Sequence, residues 1–256
     1  MAINLSLQGG HRFYINFQGE EGYLPPEEGL HAVKILRKKV GELIKLIDGK
    51  GTEYLGQIVY LSWKKRTPFV RVKIIEILRR ENIPPISLKV LIPFLKGDKT
   101  EFLVEKATEL GMTNLLLYQS KHTILRKRAF KKERFHEKAL SALKQSGRLY
   151  LPEITFVENL SNFLESLSEE KSLKLLAHPQ GTMDLLSLLD WLKAPPSQII
   201  LLSGPEGDLS PDELSLAKTK GFQTISLSPY VLRAETACMS LMCLISSLIF
   251  SIYKFS

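Results

Sequence analysis

Four apolar residues open the stretch IILLSGPEGD (Ile199–Asp208), and they predict a buried strand that ends in a glycine-bearing loop. A helix start follows, because Ser210 can cap a helix, Pro211 suits the first helical position and Glu213 completes a capping box. A second short strand, Phe222 to Leu227, leads into a turn of serine, proline and tyrosine. This order of strand, loop, helix and strand predicts an α/β domain, in which ligands bind outside the carboxyl ends of the strands.

Beyond the turn, the stretch VLRAETA (Val231–Ala237) enters a long apolar run that is interrupted by serines. The serines favour a buried amphipathic helix over a helix that crosses a membrane. Cys238 and Cys243 lie in this run, and their spacing fits neither a zinc site nor a disulfide framework. No metal site is therefore predicted, and free cysteines are typical of a reducing, cytoplasmic compartment.

The composition of the chain restricts the classes of function. The 256 residues suffice for one large or two smaller domains, and the 44% hydrophobic content is ordinary for a soluble globular protein. A formal net charge of +8 favours a polyanionic partner such as nucleic acid. The loop at Gly204 departs from the dinucleotide fingerprint and is not followed by a Walker lysine. Its glycines are therefore interpreted as letting the backbone approach a ligand closely.

The first third of the chain predicts a small β domain. Its elements are a short strand at His11–Ile15, a helix at Glu28–Lys39 ended by Gly41, and strands at Glu42–Ile47, Thr52–Leu61 and Phe69–Ile77. Several short strands with one helix suggest a compact barrel. The polar residues and the proline pair at positions 79–85 predict a linker, with a domain boundary near residue 80.

The remainder of the chain alternates strands with helices, which predicts parallel strands joined by crossover helices. The further strands are expected at Ile86–Phe94, Asn114–Tyr118 and Leu173–Ala177, and the further helices at Lys99–Leu110, Lys131–Ser146 and Met183–Leu192. Residues Ser161–Ser172 are rich in serine and glutamate, and we interpret them as an exposed helix or loop without chemistry.

Sequence motifs along most of the chain resemble one enzyme family. GPEG at Gly204–Gly207, followed by VLRAETA, resembles the C-terminal signature of the RsmE family, SPOUT methyltransferases that methylate N3 of a uridine in small-subunit ribosomal RNA. KATELG at Lys106–Gly111 and the pattern of residues between His31 and Gly49 are similar to the same family. The resemblance extends over nearly the whole length.

The resemblance implies a fold that the residue pattern alone does not predict. It implies an α/β SPOUT domain, knotted as a trefoil, at residues 86–256, after a PUA-like β-barrel RNA-binding domain at residues 1–78 and the linker at 79–85. It also implies S-adenosylmethionine as the cofactor, a homodimer that shares its active sites, and small-subunit ribosomal RNA within the 30S particle as the partner. A cytoplasmic protein without a membrane span is expected.

By the same resemblance, loops at the ends of predicted strands are expected to hold the cofactor. Backbone groups would bind the adenine, and Leu227 and Leu232 would supply apolar walls. The expected cofactor-binding residues are Leu176, Ala177, His178, Ser203, Gly204, Pro205, Glu206, Gly207, Leu227, Ser228, Val231, Leu232 and Thr236.

Arg233 and Glu235 match the arginine and glutamate of the family's LRxET motif and are the expected catalytic residues. Uracil N3 carries a proton and is a poor nucleophile until that proton is lost. Arg233 would stabilise the developing negative charge on the ring, and Glu235 would accept the proton if its pKa were raised or if Arg233 assisted. The alternative is that both residues only brace the loop at a helix N-terminus.

Polar and mostly basic side chains spread along the chain are the expected RNA contacts. For Arg37 and for the basic run from Lys121 to Arg126, the alternative is an ordinary solvated charge, and for Arg148 it is a favourable charge at a helix C-terminus. The expected RNA contacts are Arg12, Arg37, Lys99, Lys121, His122, Arg126, Gln145 and Arg148.

Several positions depart from the family's pattern. The family usually has an acid and an arginine where Lys121 and His122 stand, a second glycine where Asp208 stands, and often glycine and arginine where Ser228 and Tyr230 stand. Two other functions therefore stay open: a non-catalytic RNA-binding assembly factor on the same scaffold, and a SPOUT methyltransferase of a ribose 2′-hydroxyl. Binding of S-adenosylmethionine distinguishes the enzyme from the assembly factor, and the methylated atom distinguishes the two enzymes.

Overall fold

A computed structural model of the protein describes residues 11–82, 85–121, 132–167, 172–193 and 196–253. The chain divides into two compact units. Unit 1 comprises Met1–Ile83 together with Leu143–Leu151, and unit 2 comprises Pro84–Ala142 and Pro152–Ser256. The sequence does not predict that the segment Leu143–Leu151 belongs with the first unit.

The described residues of unit 1 form a six-stranded sheet in the order β1-β4-β5-β6-β3-β2. The strands are β1 (Arg12–Tyr14), β2 (Asn16–Gln18), β3 (Glu21–Tyr23), β4 (Leu43–Ile47), β5 (Thr52–Lys64) and β6 (Thr67–Arg80). β1 pairs with β4 in parallel, and the other neighbouring strands are antiparallel. Buried side chains such as Phe13, Leu46 and Val72 form the core of the unit. The small β domain predicted for the first third of the chain is confirmed.

The helix predicted at Glu28–Lys39 is shorter in the structure. There, α1 (Pro26–Leu30) continues into a single π-helical turn at His31–Ile35. Arg37 has a left-handed φ of 55°, which ends the helix because a right-handed turn does not continue through such a residue. Gly41, predicted to end the helix, instead lies in the turn before β4, where its φ is 93°.

Arg79 and Arg80, which were predicted to begin a linker, are the last two residues of β6. They pair with Glu53 and Thr52 on β5 and so extend the antiparallel ladder. Arg79 also forms an ion pair with Glu53, with 3.4 Å between Nε and Oε2. Regular structure in unit 1 therefore continues to residue 80, beyond the predicted domain end at residue 78.

The described strands of unit 2 form a parallel sheet in the order β12-β10-β11-β7-β8-β9. They are β7 (Ser87–Pro93), β8 (Asn114–Tyr118), β9 (Glu153–Val157), β10 (Ser172–Ala177), β11 (Gln198–Ser203) and β12 (Gln223–Ile225). The helices after β7 are α2 (Lys99–Glu109), α3 (Lys132–Ser146), α4 (Leu160–Ser166), α5 (Leu185–Lys193), α6 (Pro211–Thr219) and α7 (Ala234–Tyr253). The last four residues of α3, from Leu143, belong to unit 1. The predicted parallel α/β architecture is confirmed. β9 was missed, because five residues on a half-exposed edge strand give too short a pattern.

The start of α6 has the local structure that the sequence predicts. Ser210 Oγ accepts a hydrogen bond from the Glu213 backbone N–H at 3.3 Å, and Glu213 Oε2 accepts one from the Ser210 N–H at 2.8 Å. This reciprocal capping box fixes where the chain turns from the loop after β11 into α6.

The last helix, α7, is long and apolar enough to cross a membrane, with a mean hydropathy of 1.7 over Ala234–Ile252. One stripe of its side chains, including Cys238, Leu241 and Ile245, is buried. The helix packs against α2 and against strands β10 and β11. It is therefore a packed helix of unit 2, as the serine-interrupted pattern predicts, although its opposite face is partly exposed.

Candidate cofactor and catalytic site

A cavity of about 380 Å³ lies in unit 2 at the carboxyl ends of the adjacent strands β12, β10 and β11. Its volume falls in the range of small-molecule sites, and its position is the usual ligand-binding edge of a parallel sheet. It is lined by Lys99, Ala177, His178, Pro179, Ser203, Gly204, Pro205, Glu206, Asp208, Ser226, Leu227, Ser228, Tyr230, Val231, Leu232, Arg233, Ala234, Glu235 and Ala237.

The loops around the cavity are tied to the sheet by buried contacts. Tyr118, at the end of β8, is fully buried and donates a 2.6 Å hydrogen bond from its hydroxyl to the carbonyl of Ser203. The His178 backbone N–H donates to the carbonyl of Ile225 at 3.1 Å, which joins the loops after β10 and β12. A Cβ at Gly181 would overlap the backbone of Ile225, so this close approach requires glycine.

The loop after β11 is shaped by Asp208. This residue has a left-handed φ of 61°, and its Oδ1 accepts a hydrogen bond from the Leu209 N–H at 2.7 Å. A Cβ at Gly204 would lie 2.8 Å from the same oxygen. Glycine at 204 therefore makes room for the Asp208 carboxylate.

His178 faces Asp208 across the cavity, with 3.9 Å between Nε2 and Oδ2. The His178 Nδ1 accepts a hydrogen bond from the Gln180 N–H at 3.1 Å. Because a neutral imidazole has one protonated nitrogen, this bond places the proton on Nε2, the atom that faces the carboxylate.

Lys99 connects two acidic side chains at the cavity. Its Nζ lies 3.1 Å from each carboxylate oxygen of Glu235 and 3.9 Å from Glu206 Oε1. The Lys96 backbone N–H also donates to Glu206 Oε1, at 3.2 Å. The start of α2 is thereby linked to the loop after β11 and to the first turn of α7.

The environment of Glu235 favours its ionised form. Burial by itself raises the pKa of Glu235, but hydrogen bonds from its own backbone N–H and from Lys99, with the charges of Lys99 and Arg233, outweigh it and lower the pKa. A base for the uracil N3 proton requires the opposite shift. A raised pKa, one of the two conditions under which Glu235 was predicted to act as general base, is therefore not met in this geometry, whereas assistance from Arg233 stays a prediction.

Most of the expected cofactor-binding residues lie at the cavity. Those that line it are Ala177, His178, Ser203, Gly204, Pro205, Glu206, Leu227, Ser228, Val231 and Leu232, together with the expected catalytic residues Arg233 and Glu235. Leu176, Gly207 and Thr236 do not line it. The Leu176 side chain is buried in the core of unit 2, since alternate residues of a strand point to opposite faces.

Several lining residues were not among the expected cofactor contacts. They are Pro179, Asp208, Ser226, Tyr230, Ala234 and Ala237, and also Lys99, which was expected to contact RNA. Most of them are direct neighbours of expected residues, so longer segments around the motifs would have included them. Lys99 carries no such signal, because it is more than one hundred positions from the loops it meets.

The expected RNA contacts are divided between the two units, with Lys99 and Lys121 in unit 2 and the other described ones in unit 1. Arg12 is tied to Glu53 by a 2.8 Å ion pair and donates to the Lys144 carbonyl at 3.2 Å, whereas Arg37 is exposed. The Lys121 Nζ lies 3.2 Å from Asp212 Oδ2, at the start of α6. His122 and Arg126 lie outside the described residues.

The remaining two expected RNA contacts belong to the segment that returns to unit 1. Gln145 is exposed. Arg148 is partly buried. This burial lowers the pKa of its guanidinium, whereas the nearby negative charge of Glu81 raises that pKa by a smaller amount. Among the described residues, no group of three or more histidine, cysteine, aspartate or glutamate side chains is arranged to hold a metal ion.

Comparison with known proteins gives concordant matches for both parts of the chain. A family model described as an RNA methyltransferase domain matches residues 82–246, and one described as an RNA methyltransferase PUA domain matches residues 24–65. The ribosomal RNA small subunit methyltransferase E of Rickettsia conorii is 30% identical over 237 residues, which cover 90% of this chain and 92% of that protein.

Two further matches extend the comparison. The protein of the same name from Synechocystis sp. is 29% identical over 204 residues, and the match covers 80% of this chain and 65% of that protein's length. Among solved structures, the ribosomal RNA small subunit methyltransferase E of Neisseria gonorrhoeae, bound to S-adenosylmethionine, superposes with a TM-score of 0.79 at 26% identity. That superposition covers 93% of this chain and 98% of the other.

Proposed function

Because the chain belongs to the RNA methyltransferase family, we propose that it is an S-adenosylmethionine-dependent methyltransferase of small-subunit ribosomal RNA. The observation that carries this proposal is the cavity at the ends of β10, β11 and β12, in a unit similar to a structure that holds S-adenosylmethionine. The family motifs GPEG and VLRAETA lie along this cavity.

The residues at the cavity suit this cofactor. S-adenosylmethionine supplies a methyl group on a positively charged sulfur, and it also carries an ammonium group. Among the lining carboxylates, Glu206 and Glu235 are paired with Lys99, whereas Asp208 faces His178 and gives the cavity a negative charge that complements these cations. The side chains of Leu227 and Leu232 offer apolar surface for the adenine.

We propose that the methylated atom is N3 of a uridine, and that Arg233 stabilises the negative charge that develops on the uracil ring. Arg233 is exposed at the cavity, where a base from RNA can reach its guanidinium. Glu235, held as a carboxylate by Lys99, then serves as a positioning residue for Lys99 and Arg233 rather than as the proton acceptor.

The assembly that we propose is a cytoplasmic homodimer acting on the 30S particle. The support is the partly exposed surface of α7, where the apolar side chains of Met239, Leu244, Leu248 and Phe250 flank its buried stripe. Partly exposed apolar side chains along a helix of this length are typical of an interface between subunits. The trefoil knot remains part of the same proposal, on the strength of the SPOUT resemblance.

The experiment that tests this function is methylation of 30S particles that lack the modification. With labelled S-adenosylmethionine and purified protein, we expect label in small-subunit ribosomal RNA, and mass spectrometry of nucleosides should assign it to N3-methyluridine. Label on a ribose 2′-hydroxyl would identify the other enzyme class. Cofactor binding without any transfer, or no cofactor binding, would contradict the proposal.

The catalytic roles are tested by single-turnover rates at saturating cofactor. Arg233→Ala should lose at least about 100-fold in rate, the magnitude typical of removing one group that stabilises transition-state charge, with cofactor affinity retained.

Glu235→Gln should keep the pH profile of the wild type above pH 5, because the Glu235 carboxyl of the wild type does not titrate in that range. Lys218→Ala, on the exposed surface of α6, is the matched control. A Glu235→Gln rate that no longer rises with pH would restore Glu235 as the base.

A further inference from the structure

An exposed cluster of aromatic side chains, none of which is assigned a role above, lies on the sheet of unit 1. Tyr23 on β3, Tyr60 on β5 and Phe69 on β6 are 48%, 45% and 47% exposed. The ring centroids of Tyr23 and Phe69 are 4.6 Å apart at an interplanar angle of 34°, and those of Tyr60 and Phe69 are 6.4 Å apart at 78°. Single exposed aromatic residues are ordinary, whereas a packed and solvent-facing group of them marks an interaction surface.

The strand register explains why these rings share one face. Arg71 on β6 pairs with Tyr60 on one side and with Tyr23 on the other, so that the three residues form one row across the sheet. Phe69 lies two residues before Arg71 and therefore points to the same face. The intervening Val70 is fully buried, which places the core on the opposite face.

A cation lies within the aromatic group. The Arg71 guanidinium carbon lies 5.7 Å from the centroid of the Tyr60 ring, within the range of a cation–π contact. Its Nη1 is 3.5 Å from Glu21 Oε2, an exposed pair that contributes little. Among the described residues, the buried Nε of Arg71 has no hydrogen-bond partner. We call Tyr23, Tyr60, Phe69 and Arg71 the aromatic platform.

The surroundings of the aromatic platform are basic. Lys64 and Lys73 lie on the same face of the sheet as the aromatic rings. Lys64 pairs with Thr67, which lies two residues before Phe69 on β6. Lys73 lies two residues after Arg71 on the same strand. The exposed turn between β5 and β6 adds Lys65 and Arg66. Flat π-surfaces surrounded by lysine and arginine complement a ligand that has planar bases on a polyanionic backbone.

We infer that the aromatic platform binds unpaired nucleotides of ribosomal RNA, with bases stacked on Tyr23, Tyr60 and Phe69 and phosphates near Arg71 and the adjacent lysines. Stacking of this kind requires bases that are not enclosed in a duplex, because paired bases expose only their edges. The inference rests on the proposed function for its ligand, but it concerns a surface on unit 1 rather than the cavity of unit 2.

The test is binding of fluorescently labelled RNA to the full-length protein by anisotropy. A uridine-rich single strand should bind more tightly than a duplex of the same length. Phe69→Leu, which keeps an apolar side chain but removes the aromatic face, should weaken single-strand binding about 5- to 150-fold, the loss that corresponds to one stacked base. Phe69→Tyr should bind like the wild type.

The chain offers a matched control on the same β-hairpin. Trp63 is 50% exposed, but it pairs with the buried Pro68 and so belongs to the other face of the sheet. Trp63→Ala should therefore leave RNA affinity unchanged. An abasic oligomer with the same number of phosphates should bind the wild type and Phe69→Leu equally, whereas Arg71→Gln should bind both ligands less well and show a smaller dependence on salt.

Several outcomes would overturn the inference. Unchanged single-strand affinity in Phe69→Leu, or equal losses for Trp63→Ala and Phe69→Leu, would show that the rings do not stack on bases. Self-association of the wild type that Phe69→Leu abolishes would make the platform a protein interface instead. Titration of each variant with S-adenosylmethionine distinguishes these results from a failure of the proposed function. Every platform variant should bind the cofactor with the affinity of the wild type, because the substitutions do not lie in the cofactor cavity.

Discussion

Replacing Tyr118 by phenylalanine tests how the cofactor cavity depends on the core of unit 2. The Tyr118 hydroxyl donates a 2.6 Å hydrogen bond to the carbonyl of Ser203, a residue that is 1% exposed and lines the cavity. Burial raises the pKa of Tyr118 well above its ordinary value, so the hydroxyl remains a neutral donor throughout the physiological range. Tyr118→Phe removes this donor without changing the ring.

The magnitude follows from the burial of both partners. A buried carbonyl that loses its hydrogen bond costs about 1–3 kcal/mol in the free energy of unfolding. For a protein of this size, each kcal/mol lowers the thermal midpoint by about 2–4 °C, so we expect a decrease of about 2–12 °C. The affinity for S-adenosylmethionine should also fall, because the Ser203 loop loses the contact that fixes it beneath the cavity.

The assay is differential scanning calorimetry with and without S-adenosylmethionine, together with calorimetric titration of the cofactor. Because a ligand stabilises the part of the protein that binds it, the transition that shifts with cofactor reports unit 2. Tyr14→Phe is the control, since its hydroxyl meets Asn16 Oδ1 in an exposed contact at 3.1 Å and its loss should cost less than about 0.5 kcal/mol. Equal stability losses in the two variants, or an unchanged cofactor transition in Tyr118→Phe, would refute the reasoning.

Three other changes have defined outcomes. Gly181→Ala should destabilise the protein by about 1–3 kcal/mol and weaken cofactor binding in calorimetry, because a Cβ there overlaps the backbone of Ile225 and Ser226. Lys99→Met should raise the pKa of Glu235, which Lys99 helps to lower, and carbon-detected NMR should place the carboxyl titration at higher pH than in the wild type. Burial raises the pKa of Cys238 from 9.0 to about 12. The thiol of the unfolded chain therefore ionises at lower pH than the thiol of the folded protein. Above pH 9, the wild type should lose up to about 1.4 kcal/mol in the free energy of unfolding per pH unit, whereas Cys238→Ala should not show this loss. Urea unfolding of both proteins measures the difference.

The elements of unit 2 were predictable because their signals are local. Continuous apolar runs such as Ile199–Leu202 are typical of strands that are buried on both faces, and the capping residues at Ser210 mark a helix start independently of tertiary contacts. The helix after Glu28 was not predicted correctly, because its apolar spacing continues past Arg37 and nothing local marks that residue as left-handed. The return of Leu143–Leu151 to unit 1 depends on long-range contacts, including the hydrogen bond from the Leu151 N–H to the carbonyl of Gly49.

The candidate site was predictable to the extent that motifs mark loops. The segments around Gly204 and Arg233 were found, because strand ends and glycine turns are visible in sequence. The ion pair between Lys99 and Glu235 was not predicted, because it joins positions that are 136 residues apart in the sequence. The direction of the Glu235 pKa shift follows from that contact, and the sequence alone permitted either direction. The aromatic platform had a local signal, because Phe69, Arg71 and Lys73 alternate with buried apolar residues along β6. Such alternation is common in strands and does not by itself indicate a binding surface.

Asp208 illustrates how a departure from the family's pattern can preserve a structure. A second glycine is common at this position in the family, and the structure shows why, since the residue has a φ of 61°. Aspartate is among the few other residues that adopt this conformation, because its short side chain can bond the nearby backbone, as Oδ1 does with the Leu209 N–H. The turn is therefore retained, and the carboxylate adds a negative charge beside His178 at the cavity. From the sequence alone, aspartate at position 208 favours a protein that has lost its cofactor. In this geometry, however, Asp208 keeps the conformation of the loop, and its carboxylate makes the cavity more complementary to a cationic ligand.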